Sequence, residues 1–179
     1  MKCSSEPRSA EMNFAGRFVQ CCPPARIQSV LYFSEYTEQE IAGRYPALRQ
    51  EVQQGNDLGE RMSNAFKSEF GTGPQRICLI GTDICDLSGR IITLAFDNLA
   101  EREIVLGPAM DGGYYLIGMR KFRPEMFTGI TWGHSEVMKE TMERIESIGL
   151  NYSLLPTLKD VDEYEDIPQR IIAKLNPDK

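Results

Sequence analysis

The stretch Ile77-Cys78-Leu79-Ile80-Gly81-Thr82-Asp83 sets the reading of the whole chain. Four apolar residues in unbroken succession are too few for a helix, and they have the pattern of a strand covered on both faces, as in a parallel sheet. The run passes directly into glycine, threonine and aspartate, so Asp83 stands at the strand's C-terminal end. In open α/β sheets that edge is where ligands bind. The same aspartate also reads as a plain loop residue turning the chain toward the next helix.

Outward from this strand, helical and extended patterns alternate. Ala10, Phe14, Phe18 and Cys21 or Cys22 recur at helical spacing until Pro23-Pro24, which predicts a first helix ending in two small, half-buried cysteines. Ile27–Phe33 is β-rich, and Thr37-Glu38-Gln39-Glu40 has the form of a capping box opening a short helix. A second cycle starts near Glu51-Val52, followed by a helical face of Leu58, Met62, Ala65, Phe66 and Phe70 between the caps Asp57 and Gly71. Beyond Asp83, the patterns predict a helix over 91–99 and strands over 104–106 and 114–117. They then predict a helix over 136–148 closed by Gly149, a strand over 152–155 and a last helix over 166–175. Strands alternating with helices predict an α/β domain with a mainly parallel sheet. Residues 10–175 form one domain in this reading, behind a polar tail over 1–9.

The 179 residues suffice for one core, and 41% hydrophobic with 26% charged residues is an ordinary globular balance. A formal charge of -6, from 20 Lys and Arg against 26 Asp and Glu, argues against a nucleic acid polymer as partner. No apolar run nears the ~20 residues of a membrane span, and the first nine residues have no signal-peptide core, so a cytoplasmic protein is expected. Five cysteines without C-x-x-C spacing indicate neither a disulfide framework nor a zinc knuckle, and His134, the only histidine, excludes any mechanism needing two imidazoles.

Several segments can carry chemistry, and each has a plainer reading beside it. In Asp160-Val161-Asp162 the alternation points both carboxylates to one side, where either can meet Asp83 and, with it, hold Mg²⁺ or Mn²⁺; a solvated acidic loop explains the same residues. In Leu106-Gly-Pro-Ala-Met-Asp-Gly-Gly-Tyr-Tyr-Leu-Ile-Gly118, two glycines beside Asp111 let backbone approach a ligand, with Tyr114 or Tyr115 as a wall. A hairpin turn with core tyrosines fits equally. Trp132, the only tryptophan, is a sugar-facing platform or a packing residue. Gln54-Gly55-Asn56-Asp57-Leu58-Gly59-Glu60-Arg61 puts amide and guanidinium donors where a strand turns into a helix, suited to a nucleobase and phosphate or simply to capping that helix.

Taken in order, the segments 54–62, Gly81-Thr82-Asp83, 106–118, Phe127-Thr-Gly-Ile-Thr-Trp-Gly133 and Asp160-Val161-Asp162 resemble one family. It is the glycosyltransferase-A-like group known as radical-SAM/selenodomain-associated transferases, distantly similar to phospholactate and molybdenum-cofactor guanylyltransferases. The resemblance spans about residues 10–175 and implies a nucleotide-diphospho-sugar transferase fold. It further implies Asp83, Asp160 and Asp162 as ligands of Mg²⁺ or Mn²⁺, and Gln54, Gly55, Leu58 and Arg61 near the nucleotide. Asp111, Gly112, Gly113, Tyr114 and Trp132 would shape the sugar or acceptor pocket, with Asp83 and Asp111 as the catalytic carboxylates. The reaction implied is transfer from a nucleotide sugar or a nucleoside triphosphate to a small acceptor.

Two departures stand out. Members usually follow Gly-Ser/Thr-Asp-x with proline, whereas this chain has Cys85 after Ile84. Members also open with an apolar strand and a loop resembling Lys-x-Pro-x-Pro-Gly-x-Val-Lys-Thr-Arg-Leu, whereas Met1–Ser9 holds neither. A missing central strand predicts unpaired backbone on the strands over 27–33 and 77–80, and an incomplete transferase with weak or absent catalysis. A non-catalytic nucleotide-binding remnant is the alternative function.

Overall fold

The computed structural model describes residues 16–22, 26–34, 47–73 and 75–161. Among the described residues, seven strands form one sheet: β1 (Gly16–Cys22), β2 (Arg26–Phe33), β3 (Arg49–Val52), β4 (Arg76–Ile80), β5 (Ile104–Pro108), β6 (Tyr114–Met119) and β7 (Tyr152–Leu154). Their spatial order is β3-β2-β1-β4-β6-β5-β7. β2, β3, β4, β5 and β7 run one way, and β1 and β6 run against them. The architecture is α/β, as the alternation of patterns predicts.

The segment before Pro23 corrects one expectation. Gly16–Cys22 is a strand and not the end of a helix, and it lies antiparallel between β2 and β4. Val19, for example, stands opposite Ser29 on one side and Cys78 on the other. The slot predicted to leave two unpaired edges is therefore filled. Two open strand edges offer hydrogen bonds to every backbone group of an inserted strand, whereas a helix there would leave both edges unmet, and that difference overrides the helical spacing of Phe14, Phe18 and Cys22. The predicted helices near Thr37 and over 166–175, the tail over 1–9 and Asp162 lie outside the described residues.

The unbroken apolar character of β4 has a direct cause. Ile77 and Leu79 enter one core layer, together with Leu106 of β5 and Ile117 of β6, while Cys78 and Ile80 enter the opposite layer with Val105 and Leu116. The first layer is covered by helix α1 (Leu58–Gly71), by helix α3 (Val137–Ser147) and by a 3₁₀ turn over Pro124–Phe127; the second is covered by helix α2 (Gly89–Glu101). Strands buried on both faces cannot alternate polar with apolar residues.

Helix α1 begins where predicted. The Asp57 carboxylate accepts from the Glu60 N–H at 2.8 Å, and Glu60 Oε2 reaches back to the Asn56 N–H and side-chain amide, each at 2.9 Å. This reciprocal cap satisfies donors that the first helical turn leaves open. At the other end Thr72, rather than Gly71, is the capping residue. Among the described residues, no helix is long and apolar enough to cross a membrane.

Candidate active site

The C-terminal ends of β4 and β5 and the start of β6 meet at one edge of the sheet. The Gly81 N–H donates to the Tyr115 carbonyl at 2.9 Å and fixes the exit of β4 against β6. The chain beyond β7 then runs along the same edge. Leu155 N–H donates to Leu106 O at 2.8 Å, Leu158 N–H to Pro108 O at 3.1 Å, and Val161 N–H to Asp83 O at 3.0 Å. The last bond brings Asp160 beside the loop carrying Asp83, joining residues far apart in sequence.

A cleft of about 470 Å³ opens at this edge. Asp83, Asp111 and Asp160 line it together with Gly113, Tyr114, Trp132 and Leu58. The structure thus gathers the central carboxylates and aromatic residues singled out by the sequence into one concavity, of a size that suits small-molecule ligands. Gln54, Gly55 and Arg61 do not line it. Gln54 and Gly55 belong to the turn before α1 and Arg61 to the helix's first turn; the Arg61 Nε donates back to Gly55 O at 3.2 Å and the Asn64 amide to Gln54 O at 2.9 Å. Asp162 lies outside the described residues.

The 109–113 loop is a turn that also opens into the cleft. Asp111 Oδ1 accepts from the Gly113 N–H at 2.8 Å, an Asx-type bond that leaves Oδ2 for another partner. Gly112 has φ of +93°, and a Cβ there would lie 2.6 Å from the Ser135 carbonyl carbon and closer still to its oxygen. Its carbonyl accepts from the Met138 N–H at 2.9 Å, so Gly112 docks this loop on the start of α3 and faces the adjoining groove. The glycine is required by both conformation and close approach.

Burial pushes the hydroxyl pKa of both tyrosines upward, Tyr114 above the usual tyrosine range and Tyr115 to about 12. Tyr115 donates to Pro156 O at 2.9 Å, and its ring covers Gly107. It therefore supports the cleft from the core layer on the α2 side, while Tyr114 faces Met62 of α1.

Met62, Leu79, Ala109, His134 and Ser135 also line the cleft and were not picked out as site residues from the sequence. The signal for the last two was their place directly after Trp132-Gly133, before a helix. The ring nitrogen Nδ1 of His134 accepts from the Glu136 N–H at 3.1 Å, and Nε2 lies 3.5 Å from Glu140 Oε1.

Residues 19–134 match the family model described as an uncharacterized protein conserved in bacteria, DUF2064. The chain belongs to this family. The matched region includes Asp83, Asp111 and Trp132, so most of the cleft of this DUF2064 member lies within it. No curated protein is matched by this sequence. A protein of Desulfovibrio desulfuricans G20, whose crystal structure at 1.90 Å is described as that of a candidate nucleotide-diphospho-sugar transferase, is 34% identical. The match has a TM-score of 0.69 and covers 83% of the DUF2064 chain and 67% of the other. The fold is accordingly that of the nucleotide-diphospho-sugar transferases.

Proposed function

We propose that the cleft binds a nucleoside diphosphate sugar, or a nucleoside triphosphate, and transfers the sugar or the nucleotidyl group to a small acceptor. The observation that carries this reading is the convergence of Asp83, Asp111 and Asp160 with Trp132 and Tyr114 in one cleft at the C-terminal edge of the sheet. The likeness to a candidate nucleotide-diphospho-sugar transferase supports the donor class.

The donor set suits a divalent ion. Asp83 and Asp160 offer carboxylate oxygens from two loops held together by the Val161 N–H bond, and Asp162 follows two residues on. Among the described residues no group of three His, Cys, Asp or Glu closes a protein cage. Mg²⁺ and Mn²⁺ fit such an arrangement, because Mg²⁺ commonly takes one or two carboxylates and completes its shell with water and phosphate oxygens. Bound there, the ion would neutralise the diphosphate and stabilise it as a leaving group.

The chain's own residues would do the positioning. Asp111, held by the Gly113 N–H, presents a free carboxylate oxygen to a sugar or acceptor hydroxyl. Trp132 and Tyr114 provide the wall on which a sugar face can lie. Leu58, at the start of α1, offers apolar surface to the nucleoside, with Gln54 and Gly55 on the adjoining turn and Arg61 in the helix's first turn. Calorimetric titration with a panel of nucleoside diphosphate sugars and nucleoside triphosphates, each with and without Mn²⁺, tests the reading. Metal-dependent binding is expected, and silence across the panel would overturn it.

A further inference from the structure

The aromatic wall of the cleft is fastened from outside it. Thr131 N–H donates to Glu140 Oε2 at 3.0 Å, and the other oxygen of the same carboxylate faces His134 Nε2 at 3.5 Å. Trp132 and Gly133 lie between those two attachment points, and Gly133 has φ of +82°. Because His134 Nδ1 accepts a hydrogen bond from the Glu136 N–H, the neutral ring carries its proton on Nε2, facing Glu140. One carboxylate thus spans the turn that carries Trp132. On its far side, the indole packs against Gly59 of α1.

We infer that Glu140 is a positioning residue that sets the orientation of Trp132, and with it the shape of the ligand cleft. Glu140 does not line the cleft, so its effect runs through the turn over 131–134. An exposed turn containing a left-handed glycine has many alternative conformations, and a charge-assisted bond at one end with an imidazole at the other selects one of them. The ligand that would report this is the nucleotide donor proposed above, so that part of the inference rests on that reading. The orientation of Trp132 does not.

The chain's single tryptophan makes the test direct. Ligand-free protein is compared as wild type, Glu140→Ala, Glu140→Asp and Glu140→Gln, by tryptophan emission and acrylamide quenching, with circular dichroism and melting curves to verify folding. The Ala and Asp variants lose the reach to Thr131 and should shift the emission to the red and increase quenching. The Gln variant keeps an acceptor for the Thr131 N–H and should restore most of the wild-type signal. Arg144→Ala serves as control on the same helix, since Arg144 donates to Thr128 O at 2.7 Å, outside the Trp132 turn; it should lower the melting temperature without the red shift. Unchanged Trp132 emission and quenching in folded Glu140→Ala or Glu140→Asp would overturn the inference. In nucleotide titrations, the Ala variant should bind about tenfold more weakly, the effect of one charged hydrogen bond. If the wild type binds no nucleotide at all, the functional proposal fails while the fluorescence comparison still decides the role of Glu140.

Discussion

Gly59 and Trp132 are in close contact: a Cβ built on Gly59 would lie 2.7 Å from the indole Cε2 and 2.8 Å from Cζ2, and closer still to Nε1. Gly59 is the second residue of α1, and the contact seats the aromatic wall of the cleft on that helix. Gly59→Ala therefore sets two effects against each other. Alanine favours an exposed helix interior by about 1 kcal/mol over glycine, but here its methyl displaces the indole. Steric displacement should win, giving a red-shifted Trp132 emission and weaker ligand binding. Gly71→Ala, in the same helix with nothing within 4 Å of the added methyl, should stabilise by about 0.5 kcal/mol in urea denaturation and leave Trp132 unchanged.

The Val161–Asp83 backbone bond makes Asp83 and Asp160 neighbours, so the two carboxylates should act as one unit. Asp83→Asn and Asp160→Asn are each expected to weaken Mn²⁺-dependent nucleotide binding by at least about tenfold, or ~1.4 kcal/mol. The double variant should be much less than additive, because a site missing one ligand gains little from the other. Asp97→Asn, on the exposed face of α2, should have no effect. Titration calorimetry over this cycle checks the prediction, and strict additivity would separate the two residues.

The same physics explains what could and could not be read from the sequence. The β4 run Ile77–Ile80 was legible because burial on both faces leaves a continuous apolar signature. The capped start of α1 was legible because Asn56, Asp57 and Glu60 satisfy one another locally. Gly16–Cys22 was hidden because only one of its partners is local: β2 follows closely, with Cys22 opposite Arg26, but the other edge is supplied by β4 far along the chain, and the spacing of Phe14, Phe18 and Cys22 records neither pairing. The cleft carboxylates were legible as candidates, while the bond from Val161 to Asp83 that gathers them is a product of topology. Glu69 was invisible for a related reason. On α1 it looks like a solvated charge, yet it is fully buried and accepts from Tyr32 on β2 and Arg49 on β3.

That buried carboxylate yields a stability prediction. Tyr32 Oη donates to Glu69 at 2.6 Å, and Arg49 completes the pair. Arg49→Ala removes a charged hydrogen bond from a carboxylate inside the protein and should cost about 1.5–3 kcal/mol, whereas Tyr32→Phe removes the hydroxyl that donates to Glu69 and should cost about 1–2 kcal/mol. Replacing both charges in Arg49→Met with Glu69→Leu should recover part of the Arg49→Ala loss, since the carboxylate's own burial cost is then removed as well. Urea denaturation of the three variants against wild type gives the comparison.

Alkaline pH supplies the last prediction. Burial is the main cause raising the hydroxyl pKa of Tyr32, Tyr114 and Tyr115, with the bond from Tyr32 to the Glu69 carboxylate adding to it at that site. In the unfolded chain these groups ionise near the ordinary tyrosine value of about 10. In the folded chain Tyr115 holds its proton to about 12, and the other two hold theirs at least as firmly. Above pH ~10 the folded state therefore binds more protons than the unfolded state, and the sign of the linkage makes stability fall as pH rises. The contribution is fully present below pH ~10 and is lost progressively through the folded-state values. Melting temperatures measured on either side of that window should drop steeply for wild type. Lysine and cysteine titrations add their own slopes, so the informative quantity is the difference from Tyr114→Phe, a variant with no hydroxyl to ionise in either state. That difference should be flat below pH ~10 and should then move in favour of the variant. Parallel curves across the alkaline range would mean that Tyr114 ionises as readily in the folded chain as in the unfolded one.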